Sequence, residues 1–349
     1  MVCNDWRPEF IMPIYRSLMG VSRGRVFTGA LTSGGTIATG ANTYGVCTSS
    51  DSRFVYSTGD NLLSMYSRNT STSSLTSIGS INVSSVGGQR FMCVSPDGTS
   101  LYVTCSNSQS YGNRIQSYSR NISTGQLTYT GFVSVSGPIS ICISSDGTSV
   151  YSSVTGNLVG VFTRNISTGI LTANGTIAAV NNVFAVAISP NGANVYATNT
   201  NLNVISMYSR NTSTGALTSI GTVNTGNNPQ GICISPDGIN VYAGTYGDNT
   251  ISRLSRNTST GILTAINSYP SVWVTNLCVS SDGKSLYAAN YYPDNTVSLF
   301  TINTSTGALT SGGTLATGTR PYGICISPDG GGVYTANSFS SNISIFNRS

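Results

Sequence analysis

The side chains of this chain that are able to do chemistry are mainly cysteines and aspartates, and they recur together. The stretch Gly-Ile-Cys-Ile-Ser-Pro-Asp-Gly occurs twice without change, at Gly231–Gly238 and at Gly323–Gly330. A cysteine beside an aspartate and two glycines has the composition of a reactive or metal-binding site. The other copies of the motif argue against that interpretation, since six of the eight cysteines and six of the eleven acidic residues occupy these two positions.

Few other groups remain for acid–base or nucleophilic catalysis. The chain has no histidine, which excludes a histidine base and a histidine-dependent triad. Its lysine, Lys284, stands beside a turn. Asp60, Asp248 and Asp294 each precede an asparagine in a predicted loop, and no carboxylate pair is left to act as acid and base. The residue types therefore predict a protein that is not an enzyme.

These residues are positioned by a repeat of 45 to 49 residues. Each copy has a turn residue and, five positions later, a tyrosine. The turn residues are Asp51, Asp97, Asp146, Asn191, Asp237, Asp282 and Asp329, and the tyrosines are Tyr56, Tyr102, Tyr151, Tyr196, Tyr242, Tyr287 and Tyr334. Each copy contains four short segments in which apolar and polar residues alternate, bounded by turn residues, as in β-strands. Seven such units predict an all-β fold, a seven-bladed β-propeller of four-stranded blades.

The two ends of the sequence together supply one blade. The last unit ends after its third strand, and the missing fourth strand is expected to resemble Thr306–Ala316. A matching segment stands at Thr28–Ala38. We therefore expect an N-terminal strand to complete the last blade and close the ring, which leaves no exposed sheet edge. This divides the chain into an N-terminal extension, residues 1–26, and the propeller, residues 27–349.

Within this ring, the cysteines share one position on the innermost strand. Its seven occupants are Cys47, Cys93, Cys142, Ala187, Cys233, Cys278 and Cys325. The repeat directs each of them toward the same neighbouring blade, so the thiols do not face each other in pairs with Cβ atoms about 4 Å apart, as disulfides require. The same geometry excludes a convergent metal cluster. We expect core packing at this position, with no metal site and no cofactor.

The motifs Ser-Pro-Asp-Gly-x-x-[Val/Leu]-Tyr and Arg-Asn-x-Ser-Thr-Gly-x-Leu-Thr resemble those of the lactonase-like, YVTN-type seven-bladed propellers, over roughly residues 27–349. This resemblance implies charged and imidazole side chains at the mouth of the central channel, just before the innermost strand. The matching residues are Tyr44, Arg90, Ile139, Phe184, Gln230, Thr275 and Tyr322. The residues that follow them are Gly45, Phe91, Ser140, Ala185, Gly231, Asn276 and Gly323. Only Arg90 is charged, so no catalytic residue can be transferred from the family.

The two faces of the predicted ring differ in variability. One face carries uniform turns and a repeated arginine, which we interpret as a solvated ring of turns or as a ring of docking arginines. The repeated arginines are Arg68, Arg120, Arg164, Arg210, Arg256 and Arg348. The other face carries variable loops with aromatic residues, which suit a protein or glycan surface. The candidate binding residues on that face are Tyr44, Arg90, Gln230, Tyr246, Trp273, Tyr291, Tyr292, Arg320 and Tyr322.

The first 25 residues match no blade, and we interpret them as an anchor or assembly arm, with a disordered leader as the alternative. Their apolar residues Trp6, Phe10, Ile11 and Tyr15 are candidates for docking on a protein partner or on another copy of the chain. No basic, apolar and small-residue signal sequence is recognisable at the N-terminus. The location therefore stays unknown, although an extracellular or virion surface is favoured.

Composition limits the other function classes. Charged residues make up 8% of the chain, and the net charge of +5 is scattered, so we expect no nucleic-acid partner. No apolar run reaches the roughly 18 residues of a membrane span. We conclude that the sequence predicts a non-catalytic structural or recognition propeller, such as a virion or cell-surface assembly component. The alternatives are a lactonase-like hydrolase with its active site at the channel mouth and a glycan-binding, lectin-like propeller.

Overall fold

The computed structural model describes residues 28–83, 88–106 and 112–349, and within them it contains 28 β-strands and no helix. The strands form seven four-stranded antiparallel sheets, in each of which neighbouring strands pair edge to edge. This confirms the predicted seven-bladed β-propeller. No helix that is long and apolar enough to cross a membrane occurs among the described residues.

Blades 1 to 4 follow one another along the chain. Blade 1 contains β2 (Thr43–Thr48), β3 (Phe54–Gly59), β4 (Leu62–Arg68) and β5 (Leu75–Asn82). Blade 2 contains β6 (Gln89–Val94), β7 (Ser100–Cys105), β8 (Arg114–Arg120) and β9 (Leu127–Ser134). Blade 3 contains β10 (Ile141–Ile143), β11 (Ser149–Val154), β12 (Leu158–Arg164) and β13 (Leu171–Ala178). Blade 4 contains β14 (Val183–Ile188), β15 (Asn194–Asn199), β16 (Val204–Arg210) and β17 (Leu217–Asn224).

Blades 5 to 7 complete the ring. Blade 5 contains β18 (Pro229–Ile234), β19 (Asn240–Thr245), β20 (Thr250–Arg256) and β21 (Leu263–Pro270). Blade 6 contains β22 (Val274–Val279), β23 (Ser285–Asn290), β24 (Thr296–Ile302) and β25 (Leu309–Ala316). Blade 7 contains β26 (Pro321–Ile326), β27 (Gly332–Asn337), β28 (Asn342–Arg348) and, as its outermost strand, β1 (Leu31–Ala38).

The closure of the ring takes place in blade 7. Strand β1 pairs antiparallel with β28, from Leu31 opposite Arg348 to Ala38 opposite Asn342. Beyond the strands, the Thr28 N–H donates a 2.6 Å hydrogen bond to the Ser349 carbonyl oxygen. The prediction that an N-terminal strand completes the last blade is confirmed.

The core lies between the blades. In every blade the second strand is buried along its whole length, because its two faces pack against the two neighbouring blades. The outermost strands are mostly exposed. Alternating side chains of each inner strand therefore enter two different cores, and seven separate apolar clusters result.

Each of the seven apolar clusters contains one occupant of the predicted cysteine position. All seven cysteines in the described part of the chain are free thiols. Burial raises the pKa of Cys93 and of Cys278 to about 12, so these thiols stay protonated near neutral pH. The position thus serves packing. Among the described residues, no group of three or more histidine, cysteine or acidic side chains is arranged to hold a metal ion.

The repeated tyrosine joins each blade to the next. In all seven copies its hydroxyl donates a hydrogen bond of 2.6 to 2.9 Å to a carbonyl oxygen of the following blade, six times in the turn between its third and fourth strands and, in blade 7, at Gly29 just before β1. For example, Tyr56 of blade 1 bonds Gly125 of blade 2. The tyrosine that recurs five residues after each turn is therefore a contact between blades.

The repeated arginines form a reciprocal contact, from each blade back to the preceding one. Arg120 of blade 2 donates from Nε to the Tyr56 hydroxyl, at 2.7 Å, and forms an ion pair of 2.9 Å with Asp51 of blade 1. We call this arrangement of tyrosine, arginine and turn aspartate the inter-blade clamp. All six arginines are only 1 to 6% exposed, and five of them form such ion pairs at 2.6 to 2.9 Å. The interpretation as docking arginines is therefore wrong, because these arginines are buried between blades, whereas the turns that follow them are exposed.

Two of the seven clamps are altered. Between blades 4 and 5, the turn residue is Asn191, whose Oδ1 accepts a 3.2 Å hydrogen bond from Arg256. Between blades 5 and 6, Ile302 occupies the arginine position. There, Arg253 on β20 of blade 5 donates to Asn240 on β19 of the same blade, at 3.0 Å, and to the carbonyl oxygen of Thr306 in blade 6. A guanidinium thus still spans this seam, from a different position.

The clamps predict a specific loss of stability in acid. Burial alone would raise the pKa of the Asp146 carboxyl. Hydrogen bonds from Ser144, Thr148 and Arg210 outweigh burial and lower that pKa to about 2. An unfolded aspartate titrates near about 3.9. The carboxylate therefore stabilises the fold above about pH 4, and its contribution is lost as the pH falls toward 2.

We expect Asp146→Asn to lower the free energy of unfolding at pH 7 by about 1–3 kcal/mol, because the buried Arg210 loses its charged partner. The variant should also lose less stability than the wild type between pH 5 and 2, as measured by urea unfolding. Asn191→Asp is the matched opposite change, which places a carboxylate beside Arg256 and should steepen the acid dependence. An unchanged pH profile in Asp146→Asn would contradict the assignment.

Candidate functional site

Side-chain hydroxyls on the second strands fix the backbone at the channel mouth, the end of the central channel where the innermost strands begin. In blade 1, the Thr58 hydroxyl accepts from the Gly45 N–H, at 3.0 Å, and donates to the Arg90 carbonyl oxygen of blade 2, at 2.9 Å. Ser153 holds the Phe184 carbonyl oxygen in the same way, at 2.9 Å. The entry residues of successive blades are therefore held in register with one another.

Five aromatic rings from five blades converge at this mouth, and we call them the mouth cluster: Tyr44, Phe91, Phe184, Tyr291 and Tyr322. Tyr322 is central to it. The ring centroid of Tyr322 lies 5.7 Å from Phe91, in a stacked geometry, and 6.0 to 6.4 Å from the other three rings, which approach edge-on. Burial raises the pKa of Tyr322 to about 12, although Arg90 opposes this rise. A largely desolvated tyrosine thus stands at the axis of the ring.

A cavity of about 240 Å³ lies just inside the mouth cluster. Its walls include Phe91 and Phe184, together with residues one or two positions further along the innermost strands, such as Val46 and Ile232. Thr275 and Asn276 add polar side chains. The channel therefore contains a small chamber that shares two of its walls with the mouth cluster.

A carboxylate and a guanidinium meet at Tyr44. Burial, together with the nearby negative charge of Asp60, raises the pKa of Tyr44. The guanidinium of Arg90 lies over the same ring, 4.9 Å from its centroid, and opposes that rise. Asn42 donates from Nδ2 to Asp60, at 2.8 Å. A carboxylate and a guanidinium thus lie close to the same tyrosine at the rim of the channel.

A second cation stands next to the mouth cluster. The guanidinium of Arg320 lies 4.6 Å from the Phe339 ring centroid, 5.5 Å from that of Tyr292 and 5.7 Å from that of Tyr291. Its backbone adopts a φ of 57°, in the left-handed region, and the Arg320 N–H donates to Asn295 Oδ1 at 2.7 Å. Tyr291 therefore connects the Arg320 group to the mouth cluster.

The structure brings most of the predicted binding residues together. Tyr44, Arg90, Tyr291 and Tyr322 meet at the mouth, and Arg320 and Tyr292 adjoin them. The remaining predicted residues are Tyr246, Trp273 and Gln230. The rings of Tyr246 and Trp273 pack edge-on at 4.8 Å, and the Trp273 carbonyl oxygen accepts from the Tyr291 N–H. The Gln230 carbonyl oxygen accepts from Thr198, at 2.8 Å.

The predicted arm belongs to the part of the chain that the structure does not describe. Its residues Trp6, Phe10, Ile11 and Tyr15 lie outside the described residues, so the assembly role stays a prediction.

Sequence reasoning missed Asp60. The Asp-Asn pattern that Asp60 shares with Asp248 and Asp294 predicts a loop residue without a catalytic role. The pairing of Thr43 with Gly59 in blade 1 places the next residue, Asp60, beside Asn42 and Tyr44. Counting residue pairs outward from the Asp51 turn along the β2–β3 hairpin therefore predicts that Asp60 lies opposite Asn42. Phe91 and Phe184 were placed at the mouth by the repeat but were not selected, because they carry no polar group.

Comparison with known proteins connects this arrangement to a family. The family described as "Lactonase, 7-bladed beta-propeller" matches residues 29–144, 157–276 and 270–349. The chain belongs to this lactonase family. No curated protein matches the chain in sequence.

Several solved structures share the fold. A candidate 6-phosphogluconolactonase from Bacteroides uniformis ATCC 8492 matches with a TM-score of 0.74 and 20% identity, over 82% of this chain and 88% of that one. The periplasmic gluconolactonase of Pseudomonas aeruginosa matches with a TM-score of 0.74 and 19% identity, over 83% and 89%. Kuenenia stuttgartiensis hydrazine synthase matches with a TM-score of 0.67 and 18% identity, over 89% and 97%.

The expectation of a non-catalytic virion or cell-surface component is wrong. The family that the chain matches is one of lactonases, and similar structures include proteins with gluconolactonase names. The error has a physical origin. The sequence argument looked for charged side chains only at the positions just before the innermost strands, whereas the structure also places a carboxylate, Asp60 in the loop after β3, beside Asn42 and near Tyr44 at the mouth.

The packing of Tyr322 predicts a large difference between two substitutions. We expect Tyr322→Ala to lower the free energy of unfolding by about 3 kcal/mol, because four ring contacts are lost at the axis. Tyr322→Phe keeps those rings in contact and should cost no more than about 1 kcal/mol. Urea unfolding followed by tryptophan fluorescence measures both values.

The matched control for Tyr322 is Tyr292→Ala, which removes a tyrosine that is 56% exposed and should change stability by no more than about 0.5 kcal/mol. Equal effects of Tyr322→Ala and Tyr292→Ala would show that the mouth cluster does not depend on Tyr322.

Proposed function

We propose that this protein hydrolyses a lactone at the channel mouth, with Asp60 and Arg90 as the reacting side chains. The observation that carries the proposal is the placement of both groups beside one short segment at the mouth, in a chain of the lactonase family: Asn42 holds the Asp60 carboxylate, and the Arg90 guanidinium lies over the ring of Tyr44, two residues further on. The gluconolactonase names of two proteins with the same fold support this reaction class.

The reaction needs a base and a stabiliser of negative charge. The Asp60 carboxylate takes a proton from a water molecule as the water oxygen attacks the carbonyl carbon of the lactone. The carbonyl oxygen becomes an oxyanion, to which the Arg90 guanidinium donates hydrogen bonds. The ring C–O bond then breaks, and protonated Asp60 returns its proton to the departing alkoxide oxygen. The product is an open-chain hydroxy acid, which ionises and releases one proton to the solution.

The surroundings prepare these two groups for their roles. Asn42 donates from Nδ2 to the Asp60 carboxylate, at 2.8 Å, and accepts from the Asp60 N–H at its carbonyl oxygen, at 3.2 Å, which fixes the position of this acid. The backbone of Arg90 is anchored by Thr58 of the preceding blade. The rings of the adjoining mouth cluster are partly buried and reduce the access of water, and charge–charge interactions strengthen as water is removed. Tyr44 acts in this scheme as a positioning residue, because its ring supports the guanidinium.

Turnover of a small lactone panel tests the proposal. The panel contains glucono-δ-lactone, 6-phosphoglucono-δ-lactone and 3,4-dihydrocoumarin, and hydrolysis is followed by proton release with a pH indicator. We expect Arg90→Ala to lower kcat/KM about 10²–10³-fold, since it removes the oxyanion donor. Asp60→Asn should lower it about 10²–10⁴-fold, since an amide cannot take the proton.

Asp294→Asn is the matched control, because Asp294 also precedes an asparagine in a loop after a second strand but is exposed and has no role in the proposed reaction. It should leave kcat/KM unchanged. The proposal fails if no panel lactone is hydrolysed above the buffer rate, or if Asp60→Asn and Asp294→Asn are equally active.

A further inference from the structure

The mouth of this propeller is unusually rich in aromatic side chains for a site that would bind a sugar phosphate. We infer that its substrate is an uncharged lactone with an aromatic or alkyl group, held against Phe91 and Phe184, and not a phosphorylated sugar lactone. This inference rests on the proposed lactone hydrolysis and specifies its substrate class.

The first argument is the shape and lining of the chamber. Its volume of about 240 Å³ exceeds the roughly 150 Å³ of an engineered apolar cavity that binds benzene. Phe91 and Phe184 form walls of the chamber, and Val46, Ile141 and Ile232 add aliphatic surface. A fused or substituted ring of about ten heavy atoms fits such a volume. Ser140, Thr275 and Asn276 also line it, so the chamber combines phenyl rings with polar groups, which suits an apolar ring that carries a lactone.

The second argument is the contiguity of this apolar surface with the proposed reacting groups. The Phe91 ring on the chamber wall stacks on Tyr322 at 5.7 Å, Tyr322 packs on Tyr44 at 6.0 Å, and the Arg90 guanidinium lies over the Tyr44 ring at 4.9 Å. A continuous series of ring contacts therefore joins the chamber to the guanidinium. The polar Asn276 and Thr275, also on the chamber wall, are available to the ring oxygen or carbonyl of a lactone.

The third argument is charge. Proteins bind phosphate groups with several N–H donors, most effectively through bidentate arginine. At the described part of the mouth, Arg90 shares Tyr44 with the Asp60 carboxylate, which would repel a phosphate dianion. Arg320 is surrounded by three aromatic rings at 4.6 to 5.7 Å. Of the two guanidiniums at the described mouth, one thus has a carboxylate beside it and the other lies among aromatic rings, an arrangement poorly suited to holding a phosphate dianion.

Relative turnover tests this inference. We expect kcat/KM for 3,4-dihydrocoumarin to exceed that for 6-phosphoglucono-δ-lactone at least about 10-fold. Phe184→Ala should reduce kcat/KM for dihydrocoumarin about 10- to 100-fold, the range for loss of an apolar contact surface. Phe184→Leu, which keeps an apolar wall, should retain most of that activity and exclude misfolding as the cause.

Phe132→Ala is the matched control, because it removes a phenylalanine that is 52% exposed on the outermost strand of blade 2. It should leave both substrates unaffected. A protein that hydrolyses the phosphorylated lactone faster than dihydrocoumarin would overturn the inference while leaving lactone hydrolysis itself intact.

A binding measurement separates this inference from the proposed function. The lactam 3,4-dihydro-2(1H)-quinolinone has the shape of dihydrocoumarin but resists hydrolysis, and isothermal titration calorimetry measures its Kd. We expect saturable binding to the wild type and to Asp60→Asn, weakened at least about 10-fold in Phe184→Ala and unchanged in Phe132→Ala. Equal binding to wild type and Phe184→Ala, or tighter binding of 6-phosphogluconate than of the lactam, would overturn the inference. Absence of any lactone turnover would instead refute the proposed function.

Discussion

The ring depends on a buried guanidinium that bridges two blades. Apolar faces attract one another without fixing their relative height, because the hydrophobic effect has no direction. A buried arginine does fix it, since an unpaired charge in the core costs several kcal/mol and the charge is paired in only one register. Arg120, for example, is paired only when blade 2 presents it to Tyr56 and Asp51 of blade 1. Repeated around the ring, this requirement sets how every blade sits against its neighbour.

The same register extends to the opposite end of the channel. In blade 1, the clamp tyrosine Tyr56 and the hydroxyl residue Thr58 are two positions apart on β3, and each contacts blade 2. Tyr56 holds the turn at Gly125, and Thr58 holds the backbone of Arg90 at the mouth. One buried strand thus transmits the alignment of the turns to the residues proposed to act on a lactone. The precision of the mouth is a property of the whole ring.

The fold could be predicted from the sequence because the blade motif recurs seven times in it. The turn residues and the tyrosines recur at fixed spacing, and the segment at Thr28–Ala38 matches the strand missing from the last blade. The site could not be read in the same way, since its residues are those in which the repeats differ. Asp60 reaches the mouth through the pairing register of a hairpin, and the burial of the arginines depends on the neighbouring blade, which spacing along one blade does not reveal.

The two altered clamps, at Asn191 and at Ile302, have a consequence for how such a ring acquires specificity. The ring remains closed although two of its seven seams depart from the common pattern. Redundancy of this kind lets single repeats diverge without loss of the scaffold. A lactone has no sevenfold symmetry, so a site on a sevenfold axis must be made of unlike parts. Tyr44, Phe91, Phe184 and Tyr322 come from equivalent or adjacent positions in different blades, and their divergence turns a symmetric axis into an asymmetric site.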